Sequence, residues 1–270
     1  MQGIRNHAKA RLAAGELALG MGLRQARTVD IAQIARASGF DWLFIDMEHN
    51  SMDVDTAAQI CQAALATGVT PIIRVPGHES FHATRLLDNG AMGIVVPHVS
   101  TVAQAGHVAQ VCRFPPAGSR SIPGLLPQAL FEAHPVADVV RAVNDEVLVV
   151  AMIETREGVE NVDAIAAVPG IDVLLVGATD LAADLGVTGQ LGHPQVDAAI
   201  DAVCAACAKH GKVAGIGGVY TEALMTAYVQ KGARFVLSGS DLAFLIAGAQ
   251  ARSAMLRSIP LQAAAGQTIT

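Results

Sequence analysis

Residues Val147–Asp180 read VLVVAMIETREGVENVDAIAAVPGIDVLLVGATD. Two short runs, Val147–Ile153 and Asp172–Val176, consist almost wholly of aliphatic residues. Such runs are too short for helices and have no polar alternation, which reads as parallel strands buried on both faces. Between them Val159–Ala167 has helical spacing and is closed by Pro169-Gly170. Glycine just past a helix supplies the left-handed residue that other side chains resist. The stretch is therefore a strand–helix–strand unit. Both strands turn polar abruptly, the first at Glu154-Thr155-Arg156 and the second at Gly177-Ala178-Thr179-Asp180.

The same phrase recurs outward in both directions. Further strands are expected at Leu17–Leu23, Trp42–Asp46, Pro71–Val75, Gly93–Pro97, Lys212–Ile216 and Arg234–Leu237. Helical patterns separate them at Val29–Ser38, Val54–Thr67, Ser80–Asn89, Val102–Cys112, Val136–Val143, Val196–His210 and Glu222–Lys231. Eight strands alternating with helices over 270 residues predict a single-domain (β/α)8 TIM barrel spanning residues 1–270. An open Rossmann sheet would carry G-x-G-x-x-G after its first strand, and LALGMGLRQA does not complete that motif. One irregular stretch, Arg113–Pro135, holds five prolines and two glycines and reads as a long loop after the fourth strand.

Composition narrows the function. Hydrophobic residues make up 52% and the net charge is −6, with no Lys/Arg run, which argues against nucleic acid as a partner. The four cysteines form no disulfide framework, and the C-x-x-C of Cys204 and Cys207 lies inside a helix, facing a core. A polar N-terminus and the lack of any membrane-length apolar run predict a cytoplasmic location and no membrane partner.

In a barrel, chemistry gathers at the C-terminal ends of the strands. The expected strand ends carry Asp46-Met47-Glu48-His49, Arg74, Glu154-Thr155-Arg156 and Asp180, with His98 on the same rim. Carboxylates at the mouth of a dry barrel are costly unless they meet a cation. Glu154 and Asp180, from adjacent strands, could ligate one divalent metal, with Mg2+ or Mn2+ suiting oxygen donors better than Zn2+. The alternative is that each pairs with Arg156, Arg74 or a backbone amide. His49, beside two acids, could serve as a base or only cap a loop. The four lysines are Lys9, Lys209, Lys212 and Lys231. None is expected at the rim, so an imine-forming mechanism is disfavoured and a carbanion would need a metal or an arginine.

FDWLFIDMEHN, PIIRVPG, RLLDNGAMGIVVPHVSTVAQA, FPPAGSRS, MIETREGVENVDAIAAVPGIDVLLVGATDLAADLG and GARFVLSGSDLAFL together resemble the HpcH/HpaI aldolase family. The resemblance implies a class II pyruvate aldolase that cleaves a 4-hydroxy-2-oxoacid reversibly to pyruvate and an aldehyde. The implied cofactor is Mg2+, Mn2+ or Co2+. By the same resemblance the metal carboxylates fall on Glu154 and Asp180, and the metal-proximal arginine on Arg74. The catalytic histidine falls on His49, its aspartate partner on Asp88, and the cradle for the pyruvate carboxylate on Gly177, Ala178 and Thr179. Met152 stands where many members have Gln, which implies one polar contact fewer near the keto acid. RSIPGLLPQ departs from their usual loop, which touches the acceptor aldehyde and leaves the pyruvate end intact. Two other readings are a related enzyme using a thioester or oxaloacetate, with Arg120 and Arg156 at a basic entrance, and a non-catalytic barrel that only binds a keto acid. The apolar tail LAFLIAGAQARSAMLRSI is expected to form a helix on a neighbouring subunit of a homo-oligomer, as in the family's hexamers.

Overall fold

A computed structural model describes residues 4–261. Eight parallel strands close into a barrel in sequence order, with the last hydrogen-bonded back to the first. They are β1 Ala18–Leu23, β2 Trp42–Asp46, β3 Thr70–Arg74, β4 Gly93–Val96, β5 Leu148–Ile153, β6 Val173–Gly177, β7 Val213–Gly217 and β8 Phe235–Ser240. All lie close to the runs from which they were read. β8 extends furthest beyond expectation, because its apolar pattern stops at Leu237 while pairing continues to Ser240 opposite Gly22.

The helices follow the expected alternation with three differences. The helix expected at Val159–Ala167 is two pieces, Arg156–Glu160 and Val162–Ala166, broken at Asn161. The Asn161 side-chain Nδ2 donates to the Ser100 carbonyl at 2.9 Å, tying the break to the loop after β4. A short helix, Ala178–Asp184, starts directly from β6. A third, His7–Ala13, packs Ala8 and Leu12 against the barrel interior. Its N-cap Asn6 is fully buried and donates to the Met92 and Glu146 carbonyls, each at 2.9 Å.

Two hydrophobic layers result. One lies between strands and outer helices; the other fills the barrel with Trp42, Phe44, Ile72, Leu148, Leu175 and Phe235 among others. Trp42, the only tryptophan, stacks on Phe235 with centroids 4.0 Å apart. Burying such a ring contributes on the order of 4–6 kcal/mol. Its neighbour in register, Gly20, must lack a side chain, since a Cβ there would lie 2.3 Å from the indole.

The final helix, Asp241–Arg257, buries none of its residues and exposes Phe244, Leu245, Ile246, Met255 and Leu256. Among the described residues no helix is long and apolar enough to cross a membrane.

Candidate active site

The rim is built first from β2 and β3. Asp46 and Arg74 end these strands and are register partners, so their side chains meet at the same height. Arg74 Nε donates to Asp46 Oδ1 at 3.0 Å and Nη2 to Oδ2 at 2.8 Å. Arg74 Nη1 reaches Glu48 Oε2 at 2.9 Å. The backbone N–H groups of Glu48 and His49 also donate to Asp46 Oδ1, at 3.1 and 3.2 Å, which folds the chain back as a turn. Burial alone would raise the Asp46 pKa, but the hydrogen bonds and charge of Arg74, with those two amides, hold it below the usual range. Burial likewise works against the Arg74 charge and is outweighed by Asp46, Glu48 and Glu154.

The second half comes from β4, β5 and β6. Glu154, immediately after β5, is buried. Its Oε1 accepts from the His98 backbone N–H at 2.7 Å and lies 3.0 Å from His98 Nδ1. His98 Nε2 lies 3.3 Å from Glu48 Oε1, so one imidazole bridges the two halves of the rim. Burial pushes the Glu154 pKa up, and the charges of Asp180 and Glu48 push it further against the lowering effect of His98. Asp180 is exposed, in the first turn of the helix that leaves β6. At Gly177 an added Cβ would stand 2.5 Å from Glu154 Oε2, so this carboxylate oxygen occupies space that only glycine leaves open.

A desolvated carboxylate held beside a second one is stabilised by a cation. This donor set fits a divalent metal bound by Glu154 and Asp180. Among the described residues no group of three or more His, Cys, Asp or Glu is arranged to hold a metal ion by itself. Two protein oxygens leave positions for water and substrate, which suits Mg2+ or Mn2+ and not a structural zinc site.

A cavity of about 340 Å³ opens at these strand ends. His49, Arg74, Gly177, Ala178, Thr179 and Asp180 line it, together with Met152, whose Sδ is 3.9 Å from Arg74 Nη1. His49 is exposed at the mouth, with Nε2 3.8 Å from Glu48 Oε2. The expected pairing of His49 with Asp88 is not made within the chain. Asp88 ends the helix Ser80–Asp88, does not line the cavity, and pairs with Arg120 Nη2 at 2.6 Å. Arg120 is itself buried under that carboxylate and not at the entrance. Arg24, just after β1, and Tyr220, just after β7, also line the cavity, and neither ends an apolar run in an acid that would mark it in the sequence. The sequence marks Glu48 without its partners, since the ion pair to Arg74 depends on how the chain turns after β2.

The lysines lie elsewhere. Lys9 and Lys212 reach carbonyls at the opposite end of the barrel, and Lys209 and Lys231 pair with acids on outer helices. None lines the cavity.

Residues 24–248 match the HpcH/HpaI aldolase/citrate lyase family. The chain belongs to that family. It is 39% identical over 253 residues to a 4-hydroxy-4-methyl-2-oxoglutarate aldolase from Hapsidospora irregularis, covering 92% of this chain and 93% of the relative. It is 35% identical to a 4-hydroxy-2-oxo-heptane-1,7-dioate aldolase from Salmonella dublin, over 93% and 94% of the two chains. Among solved structures it resembles an HpcH/HpaI aldolase from Desulfitobacterium hafniense, with a TM-score of 0.88, 30% identity and 93% and 97% coverage. These relatives are aldolases, and the chain is a carbon–carbon lyase.

Proposed function

We propose that this chain is a divalent-metal-dependent pyruvate aldolase that cleaves 4-hydroxy-2-oxoacids to pyruvate and a carbonyl acceptor. One observation carries the reading: a lysine-free cavity is lined by Asp180, Gly177 and the ion-paired Arg74, and the buried Glu154 carboxylate lies directly against Gly177. Glu154 and Asp180 hold the metal, Mg2+, Mn2+ or Co2+, which when bound polarises the carbonyl of a 2-oxoacid.

The protein's own groups do the rest. Amides at Gly177, Ala178 and Thr179, where β6 passes into a helix, receive the substrate carboxylate. Arg74, fixed by Asp46 and Glu48, donates to the C2 oxygen as negative charge develops there. His49, at the mouth, takes the proton of the 4-hydroxyl group. The C3–C4 electron pair becomes the enolate of pyruvate, the C4–O bond becomes the acceptor carbonyl, and C3 then receives a proton. Synthesis runs the same steps backwards. This role for His49 does not use Asp88.

The lack of a rim lysine gives a direct test. Borohydride treatment with pyruvate should leave the mass of the chain unchanged and its activity intact. A reduced imine adduct on any lysine would overturn the metal-dependent reading. We further propose a cytoplasmic homo-oligomer, a hexamer, in which the apolar side chains exposed on the Asp241–Arg257 helix are covered by a neighbouring subunit.

A further inference from the structure

Among the described residues Arg24 and Arg74 are the two arginines lining the cavity, and no lysine joins them. The Arg24 backbone is fixed with unusual firmness. The N–H groups of Arg24, Gln25 and Ala26 all donate to the Asp241 carboxylate, at 2.7, 3.0 and 2.7 Å. Its guanidinium is far less occupied. Among the described residues it makes one hydrogen bond, from Nη1 to Asp46 Oδ2 at 3.3 Å, and the side chain is 45% exposed. That contact is the longest of the five that Asp46 accepts, the others lying at 2.8 to 3.2 Å. Asp46 is satisfied without it. The cation is anchored at its backbone, leans on the rim, and keeps most of its N–H donors for something else.

Position says what that is. β1 lies across an eight-stranded barrel from β5, and Arg24 follows β1 while Glu154 follows β5. Between them the rim of β7 and β8 is made of Gly217, Gly218 and Gly239, with Gly22 on β1. Leu237, Ser240 and Tyr220 line the same side, and none of these groups carries a charge. Arg24 is thus the cation that faces the acceptor end of a substrate whose 2-oxo end lies at β5 and β6.

We propose that Arg24 is a specificity-determining residue: its guanidinium binds the carboxylate carried by the acceptor half of the substrate. This rests on the aldolase reading above and adds the residue that selects the acceptor. Guanidinium is suited to this role because it grips a carboxylate at two points.

The test compares 4-hydroxy-2-oxoglutarate with 4-hydroxy-2-oxopentanoate, which differ by one carboxylate in place of a methyl. The native chain should favour the first in kcat/KM, and Arg24→Gln should lower that preference about 10- to 100-fold, mainly through KM, with Arg24→Lys in between. Calorimetric titration with 2-oxoglutarate against 2-oxopentanoate should show the same loss of preference without turnover. An equal fall for both compounds would make Arg24 merely a support for Asp46, and an unchanged preference would remove it from the acceptor site; either result overturns the proposal. Deuterium exchange at the methyl of pyruvate needs no acceptor and reports the aldolase reading separately. Absence of exchange defeats that reading, while the titration still decides Arg24.

Discussion

Asp46 and Arg74, register partners at the ends of β2 and β3, share two hydrogen bonds, Nε to Oδ1 at 3.0 Å and Nη2 to Oδ2 at 2.8 Å. The pair aims a guanidinium whose charge Asp46, Glu48 and Glu154 secure against the cost of burial. A lysine cannot span both oxygens and also reach Glu48. Arg74→Lys should therefore lower kcat for aldol cleavage and for oxaloacetate decarboxylation together, by about 10²- to 10³-fold. Steady-state rates for both reactions check this, and a loss confined to cleavage would place Arg74 away from the enolate oxygen.

His49 should behave differently. Its imidazole is exposed at the mouth and, of the groups that fix Arg74, meets only Glu48, at 3.8 Å; the His49 backbone N–H to Asp46 is kept in an alanine variant. His49→Ala should slow cleavage by about 10²- to 10⁴-fold and leave oxaloacetate decarboxylation much less affected, since that reaction has no 4-hydroxyl proton to move. Equal loss of both rates would make His49 a positioning residue and turn attention to Glu48.

Gly177→Ala tests the cradle of Glu154. The new methyl would stand 2.5 Å from Oε2, while the backbone angles there, φ −86° and ψ 84°, need no glycine. Displacing the carboxylate should weaken Mn2+ binding about 10- to 100-fold in a calorimetric titration, with the thermal transition little changed. Undiminished affinity would show that Glu154 is not a ligand.

Much of this was legible in sequence because the fold and the chemistry share one signal. Apolar runs that end abruptly in acids place both the strands and the rim, and Glu154, Asp180 and Arg74 were found that way. What sequence did not reveal were partnerships set in three dimensions. The bridge from His98 to Glu48 and Glu154 depends on a left-handed turn at His98, φ 53°, in a residue that is not glycine. The helix His7–Ala13 looks like a polar leader because it buries only Ala8 and Leu12. Arg24 sits in a loop after β1 whose shape is fixed by Asp241, more than two hundred residues away in the chain.

Asp88 is separated from His49 by its bond to Arg120, whose side chain is fully buried. Asp88→Ala would leave that guanidinium without its counter-charge, at a cost of about 3 kcal/mol. Chemical denaturation should show this loss, with kcat of the folded protein falling less than the effect of His49→Ala. A variant that keeps its stability and loses kcat as severely as His49→Ala would instead restore the His49–Asp88 partnership that the family resemblance implies.

The central claim, that Glu154 and Asp180 serve carbon–carbon cleavage through a divalent cation, is tested most directly by pyruvate release from a 4-hydroxy-2-oxoacid after chelation and dialysis, with Mg2+, Mn2+ or Co2+ then restored. Proton and cation compete for a Glu154 carboxyl whose pKa is raised by burial and by its acidic neighbours. Activity should vanish on chelation and return with metal, and the metal concentration for half activity should fall as pH rises through that raised pKa. Full pyruvate release from the metal-free protein would contradict the account.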